Sequence, residues 1–255
     1  MATKILVTGG TGTLGRQVVP LLRNTGADVR VLSRSAREPV DGVEFVAGDL
    51  LHDKGIDAAV AGVDTISHLA GDAKSDEVVT ENLMRAAAAA GVGHVVYISV
   101  TAAELLPLTY FRAKFAAEQV VTESGVPWTT LRAAQFHDFV PNLVDAMLKS
   151  PVLPILGGVR VQPVDAREVA ARLVELVLGA PAGRVPDLVG PTVIGMRELV
   201  RDYLKALGKR RALLTVRVPG KAGRVYRAGG NLVLDGADVG KLPWEDYLAE
   251  RVGRP

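Results

Sequence analysis

Along the first half of the chain, short apolar runs alternate with longer stretches in which apolar residues recur every three or four positions. Ile5, Leu6 and Val7 make the first run, and such continuous apolar character suits a parallel strand buried on both faces. The run breaks into Thr8-Gly9-Gly10-Thr11-Gly12-Thr13-Leu14-Gly15. Leu14, Val18, Val19, Leu21 and Leu22 then recur at helical spacing until Gly26 ends the pattern. That spacing predicts a helix over residues 13–25, kinked locally at Pro20, since an interior proline costs about 3 kcal/mol. Residues 28–33, 43–46, 63–69, 94–99 and 128–132 read as further strands, and residues 76–90 and 108–121 as helices stopped by Gly91 and Gly125. Five consecutive alanines, Ala86 to Ala90, are small enough to let a helix lie close on a sheet. Strand and helix in regular alternation predict an α/β fold with a doubly wound parallel sheet.

The glycines between the first strand and the first helix carry the earliest chemical signal. Gly9 or Gly10 makes the tight turn, Gly12 lets backbone approach a pyrophosphate, and Gly15 lets the helix sit close on the strand. The helix start, near Thr13, points its unpaired N–H groups and positive dipole end at that phosphate. Two spacings coexist: Gly10, Gly12 and Gly15 fit G-x-G-x-x-G, while Gly9, Gly12 and Gly15 fit G-x-x-G-x-x-G. Arg16-Gln17 stands where a triphosphate loop needs Lys-Ser/Thr, which argues against ATP and GTP. The second predicted strand ends in Ser33-Arg34-Ser35, with Arg37 nearby and no acidic residue to take the ribose hydroxyls. A basic residue there accommodates a 2′-phosphate, so NADP(H) is expected over NAD(H). Gly48-Asp49-Leu50 and Leu69-Ala70 follow predicted strands at the edge where ligands bind. Asp49 is placed either to take the adenine amino group or to close a turn.

In the helix after the fifth strand, Tyr110 and Lys114 stand four apart, which puts phenol and ammonium on one face. A lysine so placed is expected to lower the tyrosine pKa while gripping a ribose. Beyond residue 135 the pattern loosens. Phe136, Phe139, Val140, Leu143, Val144 and Met147 give residues 136–148 an apolar face, either the wall of a substrate pocket or ordinary core. Pro151, Pro154, Gly157 and Gly158 mark irregular chain, and Asp165-Ala166-Arg167-Glu168 opens a helix with a capping box. A helix at about 196–207, a strand around 213–218 and a helical end at 243–251 complete the prediction.

Composition narrows the partners. At 255 residues, 48% hydrophobic and 23% charged, the chain can bury a substantial core as one domain. There is no cysteine, and His52, His68, His94 and His137 are scattered, so neither a thiolate nucleophile nor a metal centre is expected. No apolar run approaches the ~18 residues of a membrane helix, and the chain enters its first strand at once; no membrane and a cytoplasmic location are expected. Between Arg184 and Arg227, eleven basic residues face three acidic ones, yet no nucleic-acid motif accompanies them and the net charge is +2. This reads as a solvated face rather than a nucleic-acid surface.

Together, Thr8 to Gly15, Arg34, Gly48-Asp49-Leu50, Tyr97-Ile98-Ser99 and Tyr110 to Lys114 resemble the short-chain dehydrogenase/reductase superfamily, closest to its atypical NmrA-like branch. The run from Tyr110 to Gln119, then Gly125-Val126-Pro127-Trp128-Thr129 and Leu131-Arg132, looks much like its bacterial NAD(P)H-binding members. The resemblance covers residues 3 to about 140. It implies a Rossmann-type sheet, with residues 1–134 as the dinucleotide-binding core and 135–255 mostly a small C-terminal substrate lobe. Thr8 to Gly15, Arg34, Asp49, Leu50, Leu69, Ala70 and Lys114 would bind the cofactor. It also implies a reductase of a small-molecule carbonyl or quinone, monomeric or homodimeric, with Tyr110 as proton donor and Lys114 tuning it. Either Ser99 or Thr101 would orient the substrate oxygen. Many NmrA-like proteins are instead redox sensors or binding proteins, while the superfamily's sugar-nucleotide epimerases and dehydratases have longer chains.

Overall fold

The computed structural model describes residues 2–35 and 38–253, which divide into two compact units. Unit 1 holds Met1–Ser99, Thr109–Arg132 and Val169–Val185. Its elements run β1 (Lys4–Thr8), α1 (Gly15–Asn24), β2 (Asp28–Ser33), β3 (Glu44–Ala47), α2 (Ile56–Val60), β4 (Thr65–His68), α3 (Asp76–Ala90), β5 (His94–Val100), α4 (Thr109–Glu123) and β6 (Trp128–Ala133). The strands lie in the order β3-β2-β1-β4-β5-β6, and the pairings among β1 to β5 are parallel. This is the Rossmann order, with its reversal between β1 and β4. Ligands of such sheets bind outside the carboxyl ends at that switch point.

Burial follows the pattern that the apolar runs predict. Every residue of β4 and β5 is buried, as expected of central strands covered on both faces. Leu6, Ile66, Val95 and Tyr97 meet Leu83, Met84, Ala86 and Ala87 of α3 and Ala117 and Val121 of α4 in one core. Of the five alanines, Ala86 and Ala87 face that core and the other three face solvent, so close packing explains two of them and helix propensity the rest. Gly91 ends α3 in the left-handed conformation, φ +67°. Arg30, buried on β2, donates to Glu44 at 2.8 Å and to the carbonyls of Ala59 and Ala61 at 2.8 and 3.0 Å, closing the end of α2. Arg132 on β6 donates twice to Glu118 of α4, at 2.8 and 2.6 Å, and so fixes α4 on the sheet through a buried ion pair.

Unit 2 holds Val100–Leu108, Ala133–Glu168 and Pro186–Pro255. It carries α5 (Phe139–Met147), β7 (Val152–Gly157), the start of α6 (Ala166–Leu178), α7 (Met196–Ala206), a strand Ala212–Arg217, α8 (Gly220–Ala228) and α9 (Trp244–Val252). Val140, Val144, Leu153, Ile155, Leu199, Val200, Leu204 and Trp244 form its core. Residues 152–157 are a strand rather than irregular chain, paired in parallel with Ala212–Arg217. Pro154 is tolerated there because the sheet has two strands and β7 has a free edge. Helix α8 is likewise absent from the elements that the apolar spacing predicts. Asp165 caps α6, its Oδ1 accepting from Arg167 N at 2.8 Å. Glu168 does not complete the capping box, since its carboxylate accepts from Lys241 N and Leu242 N instead. Among the described residues no helix is long and apolar enough to cross a membrane.

Candidate functional site

The loop after β1 is built around close approaches that only glycine permits. Gly9 takes the left-handed conformation, φ +68°, and a Cβ there would lie 2.7 Å from Ala70 N. The tight turn is therefore at Gly9, while Gly10 packs against β2, where a Cβ would meet Val31 Cγ1 at 2.8 Å. A Cβ on Gly15 would stand 2.3 Å from Gly9 O, so the helix start and the turn are in contact. Thr11, Gly12 and Thr13 are exposed, and the Gly12 N–H closes the turn on Gly9 O at 3.0 Å. Helix α1 begins at Gly15, two residues later than its spacing predicts, and continues through Pro20. No side chain caps it: Leu14 occupies the cap position. Arg16 N and Gln17 N are already taken by Gly12 O at 3.0 Å and Leu14 O at 2.9 Å, so a pyrophosphate here would meet the exposed backbone of Thr11 to Thr13 and the positive end of the helix dipole.

Thr8, His68 and Thr80 tie that loop to β4 and α3. Thr8 Oγ1 accepts from Leu69 N and Ala70 N, both at 3.2 Å, and lies 2.7 Å from His68 Nδ1. His68 Nε2 is 3.0 Å from Thr80 Oγ1, whose hydroxyl donates to Asp76 O at 2.6 Å. With the Thr80 hydrogen committed, Nε2–H must donate and Nδ1 must accept from Thr8, which assigns a neutral imidazole. Burial, and secondarily the charge of Lys114, push its pKa down to about 3.

Arg34 is exposed directly beyond β2, and Arg37 lies outside the described residues. Asp49 closes a turn: Oδ1 accepts from Leu51 N and His52 N at 2.9 and 3.3 Å, and Oδ2 lies 2.8 Å from His52 Nδ1. The bond to His52 lowers its pKa. Leu50 is buried in the core of unit 1.

Tyr110 and Lys114 sit on one turn of α4 with opposite exposure, 40% for the tyrosine and 6% for the lysine. Lys114 Nζ donates to Ile98 O at 3.1 Å and to Tyr97 Oη at 3.3 Å, and lies 3.2 Å from Asp76 Oδ2. The lysine does not lower the Tyr110 pKa in this arrangement. Desolvation of the phenol, and then the negative charge of Asp76, push it up to about 12. Ser99 and Thr101 are buried, and neither hydroxyl has a hydrogen-bond partner among the described residues. Ser99 belongs to unit 1 with Tyr110 and Lys114; Thr101 belongs to unit 2.

Asp76, Tyr97 and His68 were not singled out by the sequence for these contacts. Asp76 reads there as an ordinary first-turn acid, and its pairing with a lysine on the next helix has no local signature. Several cations of the basic stretch serve unit 2 itself: Arg197 donates to Thr215 Oγ1, Arg211 to Leu148 O and Arg227 to Val218 O. Among the described residues no group of His, Asp and Glu is arranged to hold a metal ion.

Residues 9–177 match the family described as NAD(P)H-binding. The (4-alkanoyl-5-oxo-2,5-dihydrofuran-3-yl)methyl phosphate reductase of Streptomyces griseus is 31% identical, over 98% of this chain and 94% of its own length. The NAD(P)H azoreductase of Xenophilus azovorans is 30% identical, over 80% of this chain and 74% of its own. Among solved structures, an NADPH-dependent quinone oxidoreductase from Escherichia coli superposes with a TM-score of 0.76 at 19% identity, covering 97% of this chain and 99% of that one. A nucleoside-diphosphate-sugar epimerase from Staphylococcus aureus has the same TM-score and identity, over 96% and 99%. At such identities the likeness is one of fold, which reductases and epimerases share.

Proposed function

The chain belongs to the NAD(P)H-binding family of the short-chain dehydrogenase/reductase superfamily, and from that premise we propose that it is an NADPH-dependent reductase of a small apolar carbonyl or quinone compound. The observation that carries the reading is the placement of the Tyr110 phenol: exposed on α4, one turn from a buried lysine, and protonated at neutral pH as any tyrosine with an ordinary or raised pKa is. A phenol in that state is a proton donor. The two relatives described above are reductases by name, and the substrate named for the Streptomyces griseus protein carries alkanoyl and oxo groups together with a methyl phosphate.

Each residue then has a defined task. The loop Thr8 to Gly15 holds the pyrophosphate of the cofactor through backbone N–H groups and the start of α1, with Leu69 and Ala70 packed against it. Arg34 meets the 2′-phosphate, and Asp49 and Leu50 border the adenine. The cofactor, when bound, supplies hydride. Tyr110 delivers a proton to the developing alkoxide, Lys114 holds the nicotinamide ribose, and Ser99 or Thr101 orients the substrate oxygen.

The test compares the wild-type chain with Tyr110→Phe, following NADPH consumption against ketones, aldehydes and quinones. Ketone turnover should fall by roughly 10²–10⁴, the usual contribution of general acid catalysis, with NADPH affinity little changed. Quinone turnover should fall less, because its reduced oxygen is a weaker base and takes a proton from water. Equal ketone and aldehyde rates in both chains would overturn the role of Tyr110. One observation favours a second reading, a binding protein without turnover: the charge of Lys114 is already met by Asp76 inside the core. That reading predicts tight NADPH binding and no consumption with any compound.

A further inference from the structure

Asp76 is the first residue of α3, and its side chain is fully buried. Neither carboxylate oxygen completes a hydrogen bond among the described residues, and the nearest cation is Lys114 at 3.2 Å. A buried carboxylate without donors is tolerated only beside a matching charge. Burial raises its pKa while Lys114 holds it down.

The surroundings leave that carboxylate one place to be. It lies against the backbone of Gly71, where a Cβ would fall 1.5 Å from Asp76 Oδ1 and 2.6 Å from Cγ. On the other side stands the ammonium of Lys114, already donating to Ile98 O and Tyr97 Oη. An ammonium has three N–H donors, so two are committed to protein acceptors. Asp76 Oδ2, at 3.2 Å, neutralises the ammonium and lies within reach of its third N–H, so a ribose hydroxyl would share the ammonium with these three acceptors.

We propose that Asp76 is a positioning residue for cofactor binding: its carboxylate, seated on Gly71, holds the Lys114 ammonium in the place from which it meets the ribose hydroxyls. This rests on the role given to Lys114 above. Gly71 belongs to the same device, because any side chain there would displace the carboxylate. The pairing also joins the start of α3 to α4.

The experiment is a titration of NADPH into the wild-type chain, Asp76→Asn, Lys114→Gln and the double variant, each first shown to be folded by circular dichroism and thermal unfolding. Asparagine keeps the shape and removes the charge. Each single change should weaken NADPH binding about ten-fold, and the double variant should be no more than about two-fold weaker than Lys114→Gln, because Asp76 acts through the lysine. A space-filling role would move only the unfolding temperature. Wild-type affinity in Asp76→Asn beside a weakened Lys114→Gln, or losses that multiply in the double variant, would overturn the inference and leave the role of Lys114 standing. Wild-type affinity in Lys114→Gln would instead remove that role, and this inference with it. Should Asp76→Asn fail to fold, Gly71→Ala displaces the carboxylate without deleting it. It should weaken NADPH binding in the wild-type background and have no effect in Lys114→Gln; equal losses in both backgrounds would overturn the inference.

Discussion

Acid should destabilise this protein through His68. The ring is fully buried, accepts from Thr8, donates to Thr80, and has its pKa pushed down to about 3. In the unfolded chain the same imidazole takes up a proton near its ordinary pKa of about 6.5. Between those two values the unfolded state binds one more proton than the native state. The contribution of neutral His68 is therefore complete above about pH 6.5 and is lost at about 1.4 kcal/mol per pH unit as the pH falls towards 3. From about pH 7.5 to about pH 5 the loss from this one group is roughly 2 kcal/mol. His94 and His137 are also pushed down by burial, so total acid sensitivity does not isolate His68. Comparison with His68→Asn does, since that variant keeps a polar group near Thr8 but cannot titrate. Urea unfolding of both chains at the two pH values should show the wild type losing roughly 2 kcal/mol more than the variant, whatever the variant's own stability at neutral pH. Equal losses in the two chains would refute the argument.

Other perturbations address single features of the site. Arg34→Ala should weaken NADPH about ten-fold or more and leave NADH unchanged, the expected cost of one charge-assisted phosphate contact; equal changes for both cofactors would exclude a 2′-phosphate role. Glu118→Gln removes the charge from the two hydrogen bonds that join Arg132 to α4, and the urea-derived stability should fall by about 2 kcal/mol; a loss below about 0.5 kcal/mol would mean that the pair does not anchor α4. Gly15→Ala drives a Cβ to 2.3 Å from Gly9 O, so NADPH binding should be abolished even where the variant folds, and retention of wild-type affinity would contradict the loop geometry. Any retardation of duplex DNA by the basic stretch should vanish at physiological salt, as phosphate-only contacts do; a salt-resistant complex would count against the solvated-face reading.

Much of unit 1 was legible because its signals are local. The ends of β2 and α3 fall where the periodicity places them, since a polar residue, an acidic first turn and a glycine stop each act on their own neighbours. The glycine loop was legible for the same reason, although which glycine turns was not: Gly9 turns because Ala70 crosses it, and Gly10 serves Val31. Strand β7 escaped because its two faces are both apolar. Leu153 and Ile155 are buried, Val152 and Leu156 exposed, so no alternation marks it, and Pro154 argues against a strand until its partner at Ala212–Arg217 is known.

The sequence by itself determined a nucleotide-binding α/β frame and a helix carrying Tyr110 and Lys114 on one face, because spacing along an element decides which residues share a face. Only the tertiary structure decided what that face meets. Lys114 finds Asp76, Tyr97 and Ile98 O from two other elements, Asp49 is drawn into a turn by His52, and the Tyr110 pKa is raised by desolvation and then by the charge of Asp76 rather than lowered by the lysine. Periodicity is a property of one segment, whereas a pKa or an ion pair depends on the charges and solvent that distant segments bring to the same place.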